Sequence, residues 1–233
     1  MDDTLAADGK LLLETYSVIF RLAESGVRVI SVTGGCGGLC YQIIRTWPVT
    51  AVIDEGGAFY AERSAPKTIQ WHYWADEATH RRDQADILAS VKALDFELNL
   101  ARGQGFRYVD VAVDYNQQQS LIRAQVKVIH ESLISLGFNV RQSSIHLNIV
   151  RGDFDKASMS MKVGLKLFGL AYAFFKQLSV FIVDAPNDEC MFEYPLMSIG
   201  VANIHKNLST MARKPAVIMN ERSGLGFVEM AET

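Results

Sequence analysis

The first part of the chain alternates between apolar residues at helical spacing and short, continuous apolar runs. Apolar side chains recur every three or four positions over residues 12–23, and Gly26 follows where a helix C-cap is common, which predicts a first helix. The β-branched run at 27–32 predicts a buried parallel strand. A further helix is expected at 36–46, and strands are expected at 51–53 and 58–61.

The middle of the chain has a different pattern, in which polar and apolar residues alternate strictly. Residues 107–115 and 144–149 each predict a strand with one core face and one polar face, and helical spacing over 122–136 lies between them. The polar face carries Asp110, Asp114, His146 and Asn148. We interpret it as solvated, with contact to substrate hydroxyls as the alternative. This pattern indicates a sheet covered by helices on one side only.

The last part returns to the first pattern, with a helix expected at 159–168 and strands at 178–183 and 197–201. The sequence therefore predicts an α/β protein. A Rossmann-like parallel-sheet core would comprise residues 1–63 and 151–233, and an inserted α+β cap would comprise residues 64–150. The most apolar stretch, 163–185, contains Lys166, Lys176 and Asp184. A membrane-spanning helix needs about 20 nearly uncharged residues, so we expect no membrane contact.

The amino-acid composition indicates what kind of protein this is and which partners it excludes. The 233 residues are 49% hydrophobic and 21% charged, which is typical of a globular protein. The 23 Lys and Arg against 26 Asp and Glu leave a formal net charge of −3, which argues against a nucleic-acid partner. Three cysteines, Cys36, Cys40 and Cys190, form neither a disulfide framework nor a zinc pattern. Together with a start that has no apolar leader, they predict a cytoplasmic protein. We expect a monomer or a homodimer.

Candidate chemistry follows the predicted strands, because ligands of open parallel α/β sheets bind at the carboxyl ends of the strands. The candidate residues are Asp2, Asp3, Thr4, Thr33, Lys156, Asp184, Asn187 and Asp188. Carboxylates from two loops are suitable ligands for Mg²⁺, and a hydroxyl and a lysine beside them can hold a phosphate. Taken singly, each residue is better explained as a helix cap, a turn residue or a solvated side chain. Their order along the chain favours a shared site.

That order resembles a known family. The runs Met-Asp-Asp-Thr-Leu at 1–5, Val-Thr-Gly at 32–34, Asp-Lys at 155–156 and Asp-Ala-Pro-Asn-Asp at 184–188 are similar to the four motifs of haloacid dehalogenase-like (HAD) hydrolases. The long insert between the second and third motifs resembles the type IIB cap, which is found in sugar-phosphate phosphatases. Residues 54–59 and 195–203 also resemble family segments.

The resemblance implies a Mg²⁺-dependent phosphatase that acts on a small phosphorylated metabolite, with a sugar phosphate expected, through an aspartyl-phosphate intermediate. It implies acid/base catalysis by Asp2, phosphate contact by Thr33 and charge stabilisation by Lys156. Asp2, Asp184 and Asp188 would hold Mg²⁺. Substrate binding would involve Thr4, Gly34, Asn187 and, in the cap, His146.

The sequence also departs from the family pattern. When Thr4 is matched to the motif Asp-x-Asp-x-Thr, Asp2 takes the second Asp position, and the nucleophile and the apolar first strand would precede Met1. We therefore expect the 233-residue chain to be an N-terminally incomplete enzyme that is inactive by itself. Gly35, Gly56 and Val183 stand where Arg, Asn and Gly are usual, and Val183 is expected to crowd the phosphate-side loop. The alternative function is a catalytically degenerate relative that binds a phosphorylated ligand or a protein partner.

Overall fold

The computed structural model describes residues 1, 3–143, 145–184, 186–193 and 197–233. A short hairpin, β1 (Ala6–Ala7) and β2 (Lys10–Leu11), precedes helix α1 (Leu13–Glu24). Helix α1 ends at the predicted place, and Gly26 follows it with φ +89°, a conformation that glycine adopts without strain. Among the described residues, no helix is both long and apolar enough to cross a membrane.

The first half of the core is a four-stranded sheet with the order β3-β4-β5-β6. Its strands are β3 (Ile30–Val32), β4 (Ala51–Asp54), β5 (Phe59–Ala65) and β6 (Thr68–Tyr73). Strands β3 and β4 are parallel, as expected, whereas β5 and β6 add in antiparallel pairs. The core sheet thus extends through Tyr73, beyond the boundary expected near residue 64, because β6 pairs with β5 rather than with the inserted segment.

Helix α2 (Gly37–Thr46) connects β3 to β4 and covers one face of this sheet. It ends where Pro48 prevents continuation. Its buried residues Cys40, Ile43 and Ile44 pack with Val18 and Ile19 of α1 in the largest apolar cluster.

The inserted cap is an antiparallel sheet with the order β7-β8-β10-β9 and two helices on one face. Its elements are α3 (Glu77–Ala93), β7 (Asn99–Leu100), β8 (Val111–Asp114), α4 (Arg123–Ser135), β9 (Asn139–Gln142) and β10 (His146–Val150). Ile87 of α3 and Ile129 of α4 pack against Val113 and Leu147 of the sheet. The prediction of a sheet covered by helices on one side is confirmed for this segment.

The polar face of the cap sheet is not solvated as we expected. Asp110, Asp114 and His146 are all buried. Asp114 accepts hydrogen bonds from the backbone N–H groups of Gln117 and Gln118, at 2.8 and 2.9 Å, among others in that turn. The interpretation as a solvated face is wrong because local turns and the neighbouring core cover this face and give its polar groups partners.

The chain then returns to the core through α5 (Lys156–Phe168), α6 (Tyr172–Leu178) and a three-stranded parallel sheet. The sheet consists of β11 (Val180–Val183), β12 (Met197–Gly200) and β13 (Val217–Ile218), followed by helix α7 (Ser223–Glu232). Met159 and Val163 of α5 pack on Ala51, Ile53 and Tyr60. The core sheet therefore has α1 and α2 on one face and α5 on the other, which confirms the predicted α/β architecture.

Candidate active site

A cleft between the core and the cap brings two of the predicted site residues together. Gly34, in the loop after β3, and Lys156, at the start of α5, both line it. The cleft is narrow, with a volume of about 50 Å³. From the cap and from the segments beside it, the cleft is also lined by Glu55, Gly56, Asp110, Arg141, Gln142, Ser143, Asn148, Val150, Asp155 and Cys190.

The loop that carries Thr33 and Gly34 is held against the end of the neighbouring strand. The buried Thr33 donates its N–H to the carbonyl of Ile53 at 2.9 Å, and its carbonyl accepts the N–H of Gly56 at 3.2 Å. Its hydroxyl accepts the N–H of Gly35 at 3.0 Å. A Cβ at Gly35 would lie 2.8 Å from a methyl carbon of Leu39, so the glycine allows this tight turn.

Lys156 is positioned by the first turn of α5. Asp155 caps this helix, because its carboxylate accepts the N–H of Ser158 at 2.7 Å and its own N–H donates to the Ser158 hydroxyl at 2.9 Å. The Lys156 ammonium is buried and forms an ion pair with Asp188. The alternative of a solvated lysine is therefore wrong, and two residues of different predicted motifs are in direct contact.

Asp184 lies at the end of β11 and accepts a hydrogen bond from the Thr4 hydroxyl. Burial raises the pKa of Asp184, and the nearby Asp188 carboxylate raises it further. Two buried carboxylates that repel each other are oxygen ligands of the kind that Mg²⁺ binds, so these two residues fit a divalent cation. Asp2, the third expected ligand, lies outside the described residues, and within those residues no group of three ligands suited to a metal occurs.

Asn187 and His146 were also predicted to contact the substrate, and they lie in different parts of the structure. Asn187 belongs to the short 3-10 helix Pro186–Glu193, and its side chain is outside the described part of the chain. His146 begins β10 in the cap, where its Nε2 lies 3.0 Å from the side-chain oxygen of Gln117. Burial lowers the pKa of His146, which favours the neutral ring. Of β10, Asn148 and Val150 line the cleft, whereas His146 does not.

Two departures from the family pattern have a structural explanation. Val183 packs with Ile204 and Met211 in a small apolar cluster, which gives this valine a packing role. Gly56 has φ +68°, and a Cβ there would lie 2.6 Å from the Arg141 guanidinium. Arg141 instead donates to the Gly56 carbonyl at 2.7 Å, so Arg141 occupies the space beside this glycine.

Glu55 lies in the family-like segment 54–59, but its role was not predicted from the sequence. This buried residue follows β4 with φ +46°, and its carboxylate accepts four backbone N–H groups. One oxygen binds the N–H groups of Gly37 and Tyr108, at 3.1 and 2.8 Å. The other binds those of Val109 and Asp110, at 2.7 and 2.9 Å. Glu55 therefore joins the core to the segment that leads into β8.

Arg107 makes a second connection at the same junction. Its guanidinium donates to both carboxylate oxygens of Asp110 at 2.8 Å and to the carbonyl of Gly35 at 2.7 Å. Arg107 stands in no motif, and its contact with Gly35 joins residues that are distant in the sequence. Burial raises the pKa of the adjacent Asp54 to about 7, although Arg107 and the N–H of Glu55 oppose this shift.

Comparison with known proteins supports the architecture. No protein-family model matches the sequence, and a search of curated proteins found no match. Solved structures do match. A Thermoplasma acidophilum protein aligns with a TM-score of 0.76 and 16% identity, covering 99% of this chain and 93% of that one.

Two phosphatases are also similar in structure. The sucrose-phosphatase of Synechocystis, solved with sucrose and phosphate, aligns with a TM-score of 0.71 and 14% identity over 99% of this chain and 93% of that one. A sugar phosphatase of HAD subclass IIB aligns with a TM-score of 0.67 and 8% identity over 100% of this chain and 94% of that one. The chain therefore has the fold of the HAD phosphatases, a Rossmann-like core with an inserted cap.

Proposed function

We propose that this chain forms the core and cap of a Mg²⁺-dependent phosphomonoester hydrolase that acts on a small phosphorylated metabolite of the sugar-phosphate class. One observation carries the proposal: Gly34 and Lys156 of the core line the same cleft as Asp110 and Asn148 of the cap. The cleft thus combines Lys156 and a glycine loop on the core side with Asp110, Asn148 and the cationic Arg141 on the cap side.

The core side of the cleft suits a phosphate group. Lys156 supplies a buried positive charge, and the exposed Gly34 supplies backbone to the cleft, while the buried Thr33 holds the turn through its hydroxyl. A phosphate bound there would share the Lys156 ammonium with Asp188. Because water is largely excluded, the lysine stabilises negative charge on a transferred phosphoryl group more strongly than it would in solvent.

The cap side of the cleft suits a polyhydroxyl group. The Asn148 amide donates to Asp110 at 2.8 Å, and Arg107 holds Asp110 from the other side. These fixed side chains leave the Asn148 carbonyl oxygen as an acceptor for sugar hydroxyls. One similar structure is a sucrose-phosphatase solved with sucrose and phosphate, and another is a sugar phosphatase, which supports the same substrate class here.

Asp184 and Asp188, with Asp2, would hold Mg²⁺. When bound, the ion neutralises charge on the phosphate and orients it. In the register that matches Thr4, Asp2 is the acid/base residue and the nucleophilic Asp is the residue that would precede Met1. Turnover through an aspartyl-phosphate is therefore expected only when an Asp occupies that place, and the 233-residue polypeptide alone is expected to be inactive.

Binding tests the phosphate side without requiring turnover. Isothermal titration of the 233-residue chain with glucose 6-phosphate is expected to show saturable binding. Lys156→Met should weaken it by at least about tenfold, which corresponds to the loss of one charge-assisted contact. Lys166→Met is the matched control, because Lys166 lies on the same helix and is exposed. Equal affinity of the two variants would contradict the assignment of Lys156.

Turnover tests the chemistry. A polypeptide extended before Met1 by about five apolar residues and an Asp, the length of a short strand, should hydrolyse p-nitrophenyl phosphate with Mg²⁺. Asp184→Asn and chelation should each abolish this activity. Rapid hydrolysis by the unextended chain would refute the register. Phosphate-ester binding without turnover by the extended chain would favour the alternative of a binding protein.

A further inference from the structure

Arg141 is a cationic side chain that the cap contributes to the cleft. It lies on β9, directly opposite Asn148 of β10 in the antiparallel pairing, and both residues line the cleft. Residues that are paired directly across two antiparallel strands present their side chains on the same face of the sheet. The cap therefore places a guanidinium beside the amide that we assign to the hydroxyl groups of the substrate.

The Arg141 guanidinium is bound by backbone carbonyls rather than by a carboxylate. It donates to the carbonyl of Gly56 at 2.7 Å and to the carbonyl of Phe154, and its carbon lies 5.5 Å from the ring centroid of Phe154. Within the described part of the chain, no carboxylate forms an ion pair with it. A guanidinium has five N–H groups, so three remain for a ligand.

Burial makes this unpaired charge unfavourable. Burial lowers the pKa of Arg141, and the more distant carboxylates, of which Asp155 has the largest effect, offset only part of that change. Charged groups taken out of water are normally paired with an opposite charge. The free N–H groups and the uncompensated charge together fit an anionic ligand.

The other charged side chains at the cleft already have partners. Lys156 is paired with Asp188. The acidic side chains that line the cleft all accept hydrogen bonds from groups of the protein itself: Glu55, Asp110 and Asp155. Among the charged side chains that line the described cleft, Arg141 is therefore the one whose charge is left for a ligand.

We propose that Arg141 selects substrates that carry a second anionic group, a carboxylate or a second phosphate, at the end that faces the cap. This rests on the proposed function, because it takes the transferred phosphate to be bound at Lys156. A planar guanidinium matches a carboxylate or a phosphate through paired N–H bonds. With Asn148 beside it for the hydroxyls, the substrate class is a phosphorylated sugar acid or a sugar bisphosphate rather than a neutral sugar phosphate.

Three ligands with the same carbon chain test for the second anion. D-Glucitol 6-phosphate, 6-phospho-D-gluconate and D-glucitol 1,6-bisphosphate carry a hydroxymethyl group, a carboxylate and a second phosphate, respectively, at the end remote from the shared phosphate. In isothermal titration of the 233-residue chain, at least one anionic ligand should bind at least about tenfold more tightly than glucitol 6-phosphate. The ligand with the higher affinity identifies which anion the site takes.

Variants assign this preference to one side chain. Arg141→Met should bring the three ligands within about twofold of one another. Arg141→Lys should reduce the preference by at least about threefold, because an ammonium keeps the charge but not the paired N–H groups. Lys156→Met should weaken all three ligands and leave the preference in place. Arg123→Met is the matched control, because Arg123 is an exposed cap residue at the start of α4, and it should change nothing.

The preference between ligands is the decisive measurement, because Arg141 also joins the cap to Gly56 and a purely structural role would weaken all three ligands equally. No preference in the parent chain, or an unchanged preference in Arg141→Met, would overturn the proposal. Saturable binding of glucitol 6-phosphate would then still support the proposed function, whereas no binding of any ligand would contradict both. If circular dichroism shows that Arg141→Met does not fold, an unchanged preference in Arg141→Lys would overturn the proposal.

Discussion

The carboxylate of Glu55 offers the sharpest test of how the cap is attached to the core. It is 1% exposed and accepts four backbone N–H groups, from Gly37, Tyr108, Val109 and Asp110. In the variant Glu55→Ala these donors lose their acceptor in a buried place. Each unsatisfied buried donor costs about 1–3 kcal/mol, so we expect the free energy of unfolding to fall by at least about 4 kcal/mol. That loss is large against a typical total of about 5–15 kcal/mol.

Glu55→Gln separates the hydrogen bonds from the shape of the side chain. Glutamine keeps one oxygen, which can accept two of the four N–H groups, and it presents an amide to the other two. We expect a loss about as large as that of Glu55→Ala, or somewhat smaller. Both variants keep a residue other than glycine at φ +46°, so the backbone strain is unchanged in the comparison.

The assay is equilibrium unfolding in urea, followed by tryptophan fluorescence and circular dichroism. Glu77→Ala is the control, because Glu77 is exposed and pairs only at the surface with Arg81, a contact worth about 0.5 kcal/mol or less. Hydrogen exchange should also accelerate at Tyr108, Val109 and Asp110 in Glu55→Ala. If Glu55→Ala is within about 1 kcal/mol of the wild type, the four hydrogen bonds do not hold the junction together.

Two further predictions concern the same region. Gly57 has φ +103°, and a Cβ there would lie 2.2 Å from the carbonyl oxygen of Asp155. Gly57→Ala should therefore cost about 3 kcal/mol or more in urea unfolding, against about 1 kcal/mol for Gly9→Ala, which has φ +73° and open space. Equal losses would show that the backbone contact is unimportant. The pKa of Asp54 is raised by burial to about 7, so the folded state binds this proton more tightly than the unfolded chain does. The resulting stability is present below about pH 4 and is lost as pH rises through about 7. Asp54→Asn should flatten this fall in the free energy of unfolding, and parallel pH curves for the two proteins would contradict the assignment.

Local patterns predicted most of the individual elements. The helical spacing over 12–23 and 36–46 corresponds to α1 and α2, since an apolar stripe at this period can be buried only as a helix. The order of the motifs indicated that Lys156 and Asp188 belong to one site, and the structure places them in contact. These features depend on residues close together in sequence or on a known order along the chain.

The sequence predicted less well which strands pair with each other and in which direction. The short run at 58–61 indicated a strand but not its direction, and β6 was assigned to the cap although it pairs with β5. Strand direction and neighbours depend on contacts between residues far apart in the chain, which periodicity does not record. The alternation over 107–115 showed two faces, but it did not show that the polar face is buried.

The sequence by itself determined the α/β class, the inserted cap and the candidate residues at strand ends. Only the tertiary structure decided that Glu55 and Arg107 join the core to the cap, that Asn148 rather than His146 lines the cleft, and that an apolar cavity separates β3 from β11. The physical reason is the same in each case. Hydrogen-bond partners and cavities arise where distant segments meet, whereas helices and strands arise from neighbours along the chain.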